Sequence, residues 1–245
     1  GKTDIEYEIP DGVQKIGLFA FDGCIYFTRI TIPESLRESY SLMNLNVFDD
    51  CIALEEINVA PKNLDFCSVD GVLFNKDKTT LIQYPAGKTA TSYVIPDSVT
   101  SIDEDAFSDC RSLTNITIPE SVTSIGDKAF YACKKLSGII NIPSGVVKIG
   151  RETFFNCAIT AVNISDTVTE IGPSAFENCT KLNSIVLPDS VTEVRQTAFR
   201  NCISLKEVKL SPIKTVAVVM IGFALALFSF LAIATIIDGF VMKVK

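Results

Sequence analysis

The sequence contains no histidine and no tryptophan. Histidine is the side chain that most readily changes charge near neutral pH. Its absence therefore removes the usual proton shuttle, the usual activator of a serine or cysteine nucleophile and most zinc sites. The sequence also has no G-x-S-x-G turn, no glycine-rich phosphate loop and no calcium-loop pattern. These absences predict a protein that is not an enzyme and that uses no metal ion or other cofactor.

Positive charge is scarce as well. Lysine and arginine together number 22 against 29 aspartates and glutamates, which gives a net charge of −7. The basic residues do not cluster. Because binding to a phosphate backbone requires a clustered basic face, we expect no nucleic acid among the partners.

The most informative feature of the sequence is an internal repeat. Units of the form I-P-x-x-V-x-x-I-x-x-x-A-F-x-x-C-x-x-L-x-x-I-x follow one another 23, 24, 22 and 23 residues apart. These five units begin at Ile95, Ile118, Ile142, Ile164 and Leu187. Two more units lie upstream, one from Ile9 and one from Ile32, and the second is stretched by the insertion ESYSLMNLN.

A unit of this length cannot bury its own apolar side, so stacked copies must share one core, which predicts a solenoid. The L-x-x-I-x-I segment, as in residues 113–118, alternates and should form a short parallel strand that the following proline ends. V-x-x-I should form a second extended segment, and A-F-x-x-C should turn the corner. The predicted core contains Phe21, Phe48, Phe107, Phe130, Phe154, Phe176 and Phe199.

Residues 59–92 interrupt the repeat. Two β-prone runs, Val72 to Phe74 and Thr80 to Tyr84, flank the turn-forming sequence N-K-D-K at 75–78. This pattern predicts a β-hairpin that is inserted into one coil or replaces it. A plain loop is the alternative interpretation.

The repeated unit resembles the Treponema pallidum-type leucine-rich repeat of BspA-like surface proteins, from Ile9 to about Leu210. The segment DGVLFNKDKTTLIQYPAGKT resembles an insert common in that family, whereas Ser165 departs from the proline of the other units. The resemblance implies a right-handed leucine-rich-repeat solenoid, mainly β, with short parallel strands. We expect about eight coils and a length of about 40 Å in a solenoid domain at 1–212. Family members are often adhesive toward host matrix proteins or other cells.

Seven of the eight cysteines follow the repeat phenylalanine by three residues: Cys24, Cys51, Cys110, Cys133, Cys157, Cys179 and Cys202. Metal binding or redox chemistry would be the functional interpretation. A constant phase of one cysteine per coil instead predicts a ladder of small buried residues, because zinc sites require paired cysteines. Stacked side chains also point the same way, which disfavours disulfide bridges between neighbouring coils. Cys67 lies in the hairpin region outside this ladder, and we expect it to be a free thiol.

Three carboxylates, Asp103, Glu104 and Asp105, cluster between repeat positions. The sequence therefore predicts a solvated corner here rather than a site.

The composition changes abruptly after Pro212. Residues 216–237 form a run of 22 residues with no charge, long enough as a helix of about 33 Å to cross a hydrocarbon core of about 30 Å. We predict a transmembrane helix in an anchor domain at 213–245, with a buried helix as the alternative. Two lysines, Lys243 and Lys245, follow the run and one precedes it, which favours a cytoplasmic C-terminus and a single-pass protein.

The residues that flank the second apolar position of each L-x-x-I-x-I strand should point away from the core. Stacked coils would place them on one exposed face, which is the candidate ligand-binding site unless it is merely solvated. In the unit from Ile118 one extra residue leaves the register of Ile140 and Asn141 ambiguous. The pairs are Arg29 and Thr31, Glu56 and Asn58, Asn115 and Thr117, Ala161 and Asn163, Ser184 and Val186, and Glu207 and Lys209.

Together these features predict a membrane-anchored cell-surface protein that adheres to or binds a protein or glycan ligand, with host extracellular matrix among the candidates. A tail-anchored intracellular interaction scaffold is the alternative, and an enzyme is a second one. A signal peptide ahead of Gly1 would favour the surface hypothesis, and a native methionine there would favour the scaffold. A metal or cofactor in a concave pocket would favour the enzyme.

Overall fold

The computed structural model describes residues 5–37, 47–210 and 241–243. Within these ranges the chain forms 18 short strands and no helix. Nine of these strands recur on one side of the coils. They are β1 (Glu6–Glu8), β2 (Arg29–Ile32), β3 (Glu56–Val59), β7 (Ser92–Val94), β9 (Asn115–Thr117), β11 (Ser137–Asn141), β13 (Ala158–Asn163), β15 (Ser184–Leu187) and β17 (Glu207–Leu210).

These strands stack as parallel ladders, in the orders β1-β2-β3, β7-β9 and β11-β13-β15-β17. The central apolar residue of each strand faces inward: Ile57 is fully buried, and Ile30, Ile185 and Val208 are nearly so. Each strand is too short to be stable alone, and pairing with a neighbouring coil satisfies backbone groups of the strand. The predicted mainly-β solenoid of about eight turns is therefore confirmed.

A second set of two-residue strands forms on the adjacent side, where the V-x-x-I segments were predicted to be extended. They are β8 (Ser101–Ile102), β10 (Ser124–Ile125), β12 (Lys148–Ile149), β14 (Glu170–Ile171) and β16 (Glu193–Val194). Strand β8 pairs in parallel with β10, and β14 pairs in parallel with both β12 and β16. The isoleucine or valine of each points into the core, so both apolar positions of the repeat contribute to one interior.

The A-F-x-x-C corners are joined by a third ladder that involves no β-strand. Asp105, Phe107 and Asp109 donate their N–H groups to carbonyls of the next coil, at 3.2, 2.7 and 2.8 Å. Asp105 and Asp109 have φ of 54°, and the equivalent residues of the next coil, Lys128 and Ala132, have φ of 55° and 54°. This left-handed conformation is unfavourable for residues other than glycine, asparagine and aspartate. Here it turns alternate N–H groups toward the next coil.

Aromatic rings run through the core behind these corners. The rings of Phe107, Phe130, Phe154 and Phe176 are fully buried and stack with centroids 5.1, 5.1 and 5.5 Å apart. Phe48 is also buried, as predicted. The prediction is wrong for Phe21 and Phe199, which are only partly buried because they lie at the two ends of the ladder.

The interruption at 59–92 is a β-structure, as the hairpin interpretation predicts, but it has three strands rather than two. They are β4 (Phe66–Val69), β5 (Val72–Asn75) and β6 (Thr80–Gln83), and each consecutive pair is antiparallel. Strand β6 then pairs in parallel with β8, so the insert joins the second side of the solenoid. Tyr84 takes the place of the repeat phenylalanine, and its ring stacks on Phe107 at 5.2 Å.

The predicted membrane span at 216–237 lies outside the described residues. Among the residues that are described, no helix is long and apolar enough to cross a bilayer. The last strand, β18 (Val241–Lys243), pairs antiparallel with β17. A single complete crossing by 216–237 would put residues 241–243 on the far side of the membrane, so that topology requires this pairing to open.

Candidate functional site

The outward positions of the first set of strands form one surface, which we call the strand face. Its register follows the sequence prediction: Arg29 lies beside Glu56, and Ala161 lies between its partners on β11 and β15. The two remaining predicted residues, Glu207 and Lys209, align by backbone register with Ser184 and Val186. The structure thus brings together every predicted pair within its own ladder, while their role in ligand binding stays a prediction.

Exposure differs along this surface. Six of the predicted residues are exposed, and four are only half exposed. The exposed residues are Asn58, Asn115, Thr117, Asn163, Ser184 and Val186. The half-exposed ones are Arg29, Thr31, Glu56 and Ala161. The middle and C-terminal part of the strand face is therefore the more accessible part.

Charge is concentrated at the N-terminal end of the strand face. Arg29 contacts Glu6 at 2.7 Å on one side and Glu56 at 3.0 Å on the other. This three-residue ion-pair row crosses β1, β2 and β3. Exposed ion pairs of this kind contribute little to stability but orient an approaching partner.

The ambiguous register in the unit from Ile118 is resolved by a β-bulge. Ile140 is buried and is a core residue, so its tentative place on the outer face was wrong. The outward pair is Ile139, beside Ala161, and Asn141, beside Asn163. The register between β11 and β13 shifts between Gly138 and Ile139, where Thr160 of β13 is left without a partner and Gly138 has a φ of 82°. This glycine is the sequence signal that could have located the bulge, because only glycine adopts this conformation freely.

The strand face also includes residues that were not predicted, from units that do not fit the repeat. Glu6 and Glu8 extend the strand face at the N-terminus, and Ser92 and Val94 extend it on the coil of the insert. Val94, Ile139 and Val186 are 68, 58 and 52 % exposed. The face therefore offers apolar contacts among its amides and hydroxyls. The S-Y-V-I sequence before Pro96 was the available signal for the second pair.

The amide of Asn163 donates a hydrogen bond to Oδ1 of Asn141 at 2.6 Å. This bond joins neighbouring strands on the outside of the sheet. It leaves further donors and acceptors on both amides for a ligand, since each amide has two donors and two acceptor positions.

The cysteines form the predicted ladder. Each thiol of the regular coils donates to the carbonyl of an aromatic residue in the preceding coil, for example Cys133 to Phe107 at 3.0 Å and Cys157 to Phe130 at 3.2 Å. All eight are free thiols, including Cys67. Burial raises the pKa of Cys202 to about 12, so its thiol stays protonated and unreactive at neutral pH. The ladder is a packing and hydrogen-bonding device.

The carboxylates at 103–105 correct the sequence prediction of a solvated corner. Asp105 is only 5 % exposed, and Asp103 and Glu104 are half-buried. Burial raises the pKa of Asp103 to about 6, partly opposed by a hydrogen bond from the Glu104 backbone. In the part of the chain that the structure describes, no three acidic or sulfur-bearing side chains converge as metal ligands would.

Stacked coils with leucine, isoleucine and valine at fixed inward positions define a leucine-rich-repeat protein, a fold typical of binding proteins without enzymatic activity. The family model described as a BspA type leucine rich repeat region matches in six copies, over residues 4–69, 84–157 and 129–220. The chain belongs to this family. The gap in the match, at 70–83, falls within the insert.

Three solved bacterial structures are similar to the chain. One is a leucine-rich repeat protein from Eubacterium ventriosum (28% identity, TM-score 0.72, covering 86% of this chain and 57% of that one). Another is a leucine rich cell surface protein from Faecalibacterium prausnitzii (28%, 0.72, 85% and 60%). The third is the pneumococcal vaccine antigen PcpA (26%, 0.74, 86% and 57%). The chain thus spans less than two thirds of the length of these proteins. No curated protein matches it significantly.

Proposed function

We propose that the chain is a membrane-anchored protein of the cell surface that binds a protein or glycan ligand through its strand face. The observation that carries this proposal is the part of the strand face from β7 to β15. Outward side chains are exposed there on consecutive strands, and the paired strands align them in register. Solenoids commonly use such extended surfaces for recognition. Extracellular-matrix proteins are the first class of ligand to test.

The chemistry of this surface suits a protein or glycan. Amides and hydroxyls at Asn115, Thr117 and Asn163 provide hydrogen bonds, and exposed Val94 and Ile139 provide apolar contacts between them. An interface of this kind combines a small apolar centre with polar groups around it. The charged row at β1 to β3 would then set the orientation of the ligand rather than most of its affinity.

The proposed location rests on two supports. One of the similar solved structures is described as a cell surface protein. The uncharged run at 216–237 has the length and composition of a transmembrane helix. The single-pass topology with a cytoplasmic C-terminus belongs to this proposal as well.

Replacing Asn115, Thr117, Asn163 and Ser184 together with lysine should abolish ligand capture, because four long cations would cover the centre of the strand face. All four residues are exposed, so the fold should tolerate the change. The measurement is binding of the full chain to a panel of immobilised extracellular-matrix proteins and surface glycans, with circular dichroism to verify folding.

The control variant carries lysine at four exposed positions away from the strand face, Ser124, Val147, Thr192 and Gln196. It has the same added charge and should bind as the wild type does. Equal loss of binding in both variants, or in neither, would show that the ligand binds elsewhere on the chain, with the turn at 75–78 as the next candidate.

A tail-anchored intracellular scaffold is the second candidate function. The eight free thiols favour it, because a reducing compartment preserves thiols. Digestion of intact cells with an external protease distinguishes the two locations. Loss of the solenoid would support surface display, and its protection until the cells are opened would support the scaffold.

A further inference from the structure

The insert leaves an opening at one corner of the solenoid. In the regular coil the ladder residue Phe107 lies five positions after Ile102, whereas Tyr84 lies only three positions after Leu81, which pairs with Ile102. The coil of the insert is therefore too short to reach the corner. Its neighbours' corners face each other across a gap of about 350 Å³, which we call the corner groove.

Carboxylates dominate the lining of this groove. Asp49 and Asp50 come from the coil before the insert, and Asp105 and Asp109 come from the coil after it. Glu152 lies farther along, and Lys128 and Lys134 supply the opposing charge. Acidic groups from two coils that are not adjacent in the stack thus meet only because the corner between them is absent.

Asp105 is the member of this group that lacks a partner. The residue is 5 % exposed, and its Oδ2 atom is buried with no hydrogen bond in the structure. The pKa of Asp105 is raised to about 7, chiefly by burial; Lys128 opposes this rise, and the carboxylates of Asp49, Glu104 and Glu152 contribute to it. A buried carboxylate without a partner destabilises the fold, so a cation that supplied one would be bound favourably.

Two other carboxylates of the groove, those of Asp109 and Glu152, already form ion pairs with arginine side chains. Arg111 contacts Asp109 at 3.2 Å, and Arg151 contacts Glu152 at 3.2 Å. These guanidinium groups engage the margin of the groove from their own coils, and they leave Asp49, Asp50 and Asp105 without such an ion pair in the described part of the chain. The remaining three acids outnumber the two lysines.

The shape of the groove also favours a guanidinium over a metal ion. The volume is at the lower end of the range for pockets that hold organic ligands, and the acidic groups do not converge on one point as metal ligands do. Tyr131 also lines the groove, and its ring stacks on that of Phe155 at 4.9 Å. A planar guanidinium can bond carboxylates on two sides and stack on an aromatic ring.

We propose that the corner groove binds the guanidinium group of an arginine side chain that a partner polypeptide presents, with Asp105 as the central acceptor and Asp49 and Asp50 on the opposite wall. The groove lies on the corner segments and not on the strand face, so this site is additional to the one proposed above. The insert creates it by shortening one coil.

Calorimetric titration of the full chain with acetyl-arginine amide tests the proposal, with the uncharged acetyl-citrulline amide as the matched ligand. Arginine should bind at least about tenfold more tightly than citrulline, because citrulline has no positive charge to pair with the carboxylates of the groove. Asp105→Asn should weaken arginine binding about tenfold or more while raising the thermal midpoint, because asparagine tolerates the left-handed backbone and removes the buried charge. Asp97→Asn, at an exposed aspartate of the same coil, should change neither quantity.

The pH dependence has a defined sign. Only ionised Asp105 attracts the cation, and this carboxyl becomes protonated as the pH falls through about 7. Affinity should therefore fall by about tenfold or more between pH 7.5 and pH 5.5 in the wild type and stay nearly constant in the Asp105→Asn variant. Equal binding of arginine and citrulline, wild-type affinity in that variant, or Asp105-dependent binding of calcium chloride but not of arginine would each overturn the proposal.

Discussion

Phe130 lies in the middle of the aromatic ladder, in contact with the rings of Phe107 and Phe154. Phe130→Ala should lower the free energy of unfolding by about 3–5 kcal/mol, the usual loss for a fully buried phenylalanine. Because each coil contacts only its neighbours, local opening of the central coils should precede global unfolding. Chemical denaturation combined with amide hydrogen exchange measures both effects.

Phe155 provides the comparison for this prediction. It is only half-buried, and it stacks on Tyr131 outside the core. Phe155→Ala should cost clearly less than Phe130→Ala. A Phe130→Ala protein with the denaturation midpoint of the wild type would contradict the proposed core role of the ladder.

Asp105 shows how a residue's environment depends on a distant segment. Its own unit fits the repeat, so its sequence predicts a solvated corner, and the equivalent residues Lys128 and Glu152 of the next coils are only half-buried. It is buried beside Asp49 because the coil between them is short. Single-residue patterns could not predict this burial, since it results from the length of a segment some 20 residues upstream, between Leu81 and Tyr84.

At the scale of elements, Gly87 fixes the path of the shortened coil. A Cβ atom at this position would lie 2.5 Å from the carbonyl carbon of Ala53 and 2.7 Å from the carbonyl oxygen of Leu54. The N–H of Gly87 donates to that same oxygen at 2.7 Å. Gly87→Ala should therefore lower the thermal midpoint, because the backbone of one coil would have to move away from its neighbour.

Gly17→Ala is the matched control for this substitution. Gly17 also lacks a positive φ, and a Cβ atom there would meet nothing within 4 Å. This variant should keep the wild-type thermal midpoint or exceed it slightly, because alanine restricts the unfolded chain. Equal midpoints for the two variants would show that the close approach at Gly87 does not constrain the fold.

The elements differ in how far the sequence determines them. The two strand segments of each coil could be predicted because apolar residues recur at fixed positions from Ile95 onward. The corner ladder could not, because Lys128, Ala132 and Glu152 adopt left-handed conformations that their residue types disfavour. Hydrogen bonds between coils maintain that conformation, and sequence patterns within one coil do not report them. Strand β4 was missed for a related reason, since the run F-C-S-V has no clear alternation.

For the whole molecule, the anchor at 213–245 leads to a prediction about solubility. Removing all residues after Pro212 should convert a protein that needs detergent into one that stays in aqueous solution with its solenoid intact, because the only long uncharged run lies at 216–237. Partition between membrane and soluble fractions, together with circular dichroism, measures the outcome. A full-length chain that remains soluble and monomeric without detergent would contradict the anchor.

The pairing of β18 with β17 makes the topology testable in the same preparation. With a single complete crossing, a tag placed after Lys245 should be digested only from the side opposite the solenoid. Digestion from the same side would mean that residues 241–243 stay paired with the last coil. The control is a tag ahead of Gly1, on the solenoid's own side.

The strand face shows both the success and the limit of prediction for the molecule as a whole. Its register follows from the repeat, so the positions of Asn115 and Ser184 could be predicted from the sequence. Its continuation onto Val94 could not, because the coil of the insert does not follow the consensus. The corner groove was missed completely, since it arises where a repeat position is absent rather than where a motif is present.

The corner ladder also gives the solenoid a direction. From Asp105 onward, every ladder N–H points toward the C-terminal end of the stack and every accepting carbonyl points back, as in the bonds from Phe130 to Thr153 and from Phe154 to Ala175. Aligned peptide dipoles add, so the corner edge has a positive pole at one end and a negative pole at the other, much as a helix does. Two such stacks could therefore continue one another head to tail along this edge, but not head to head.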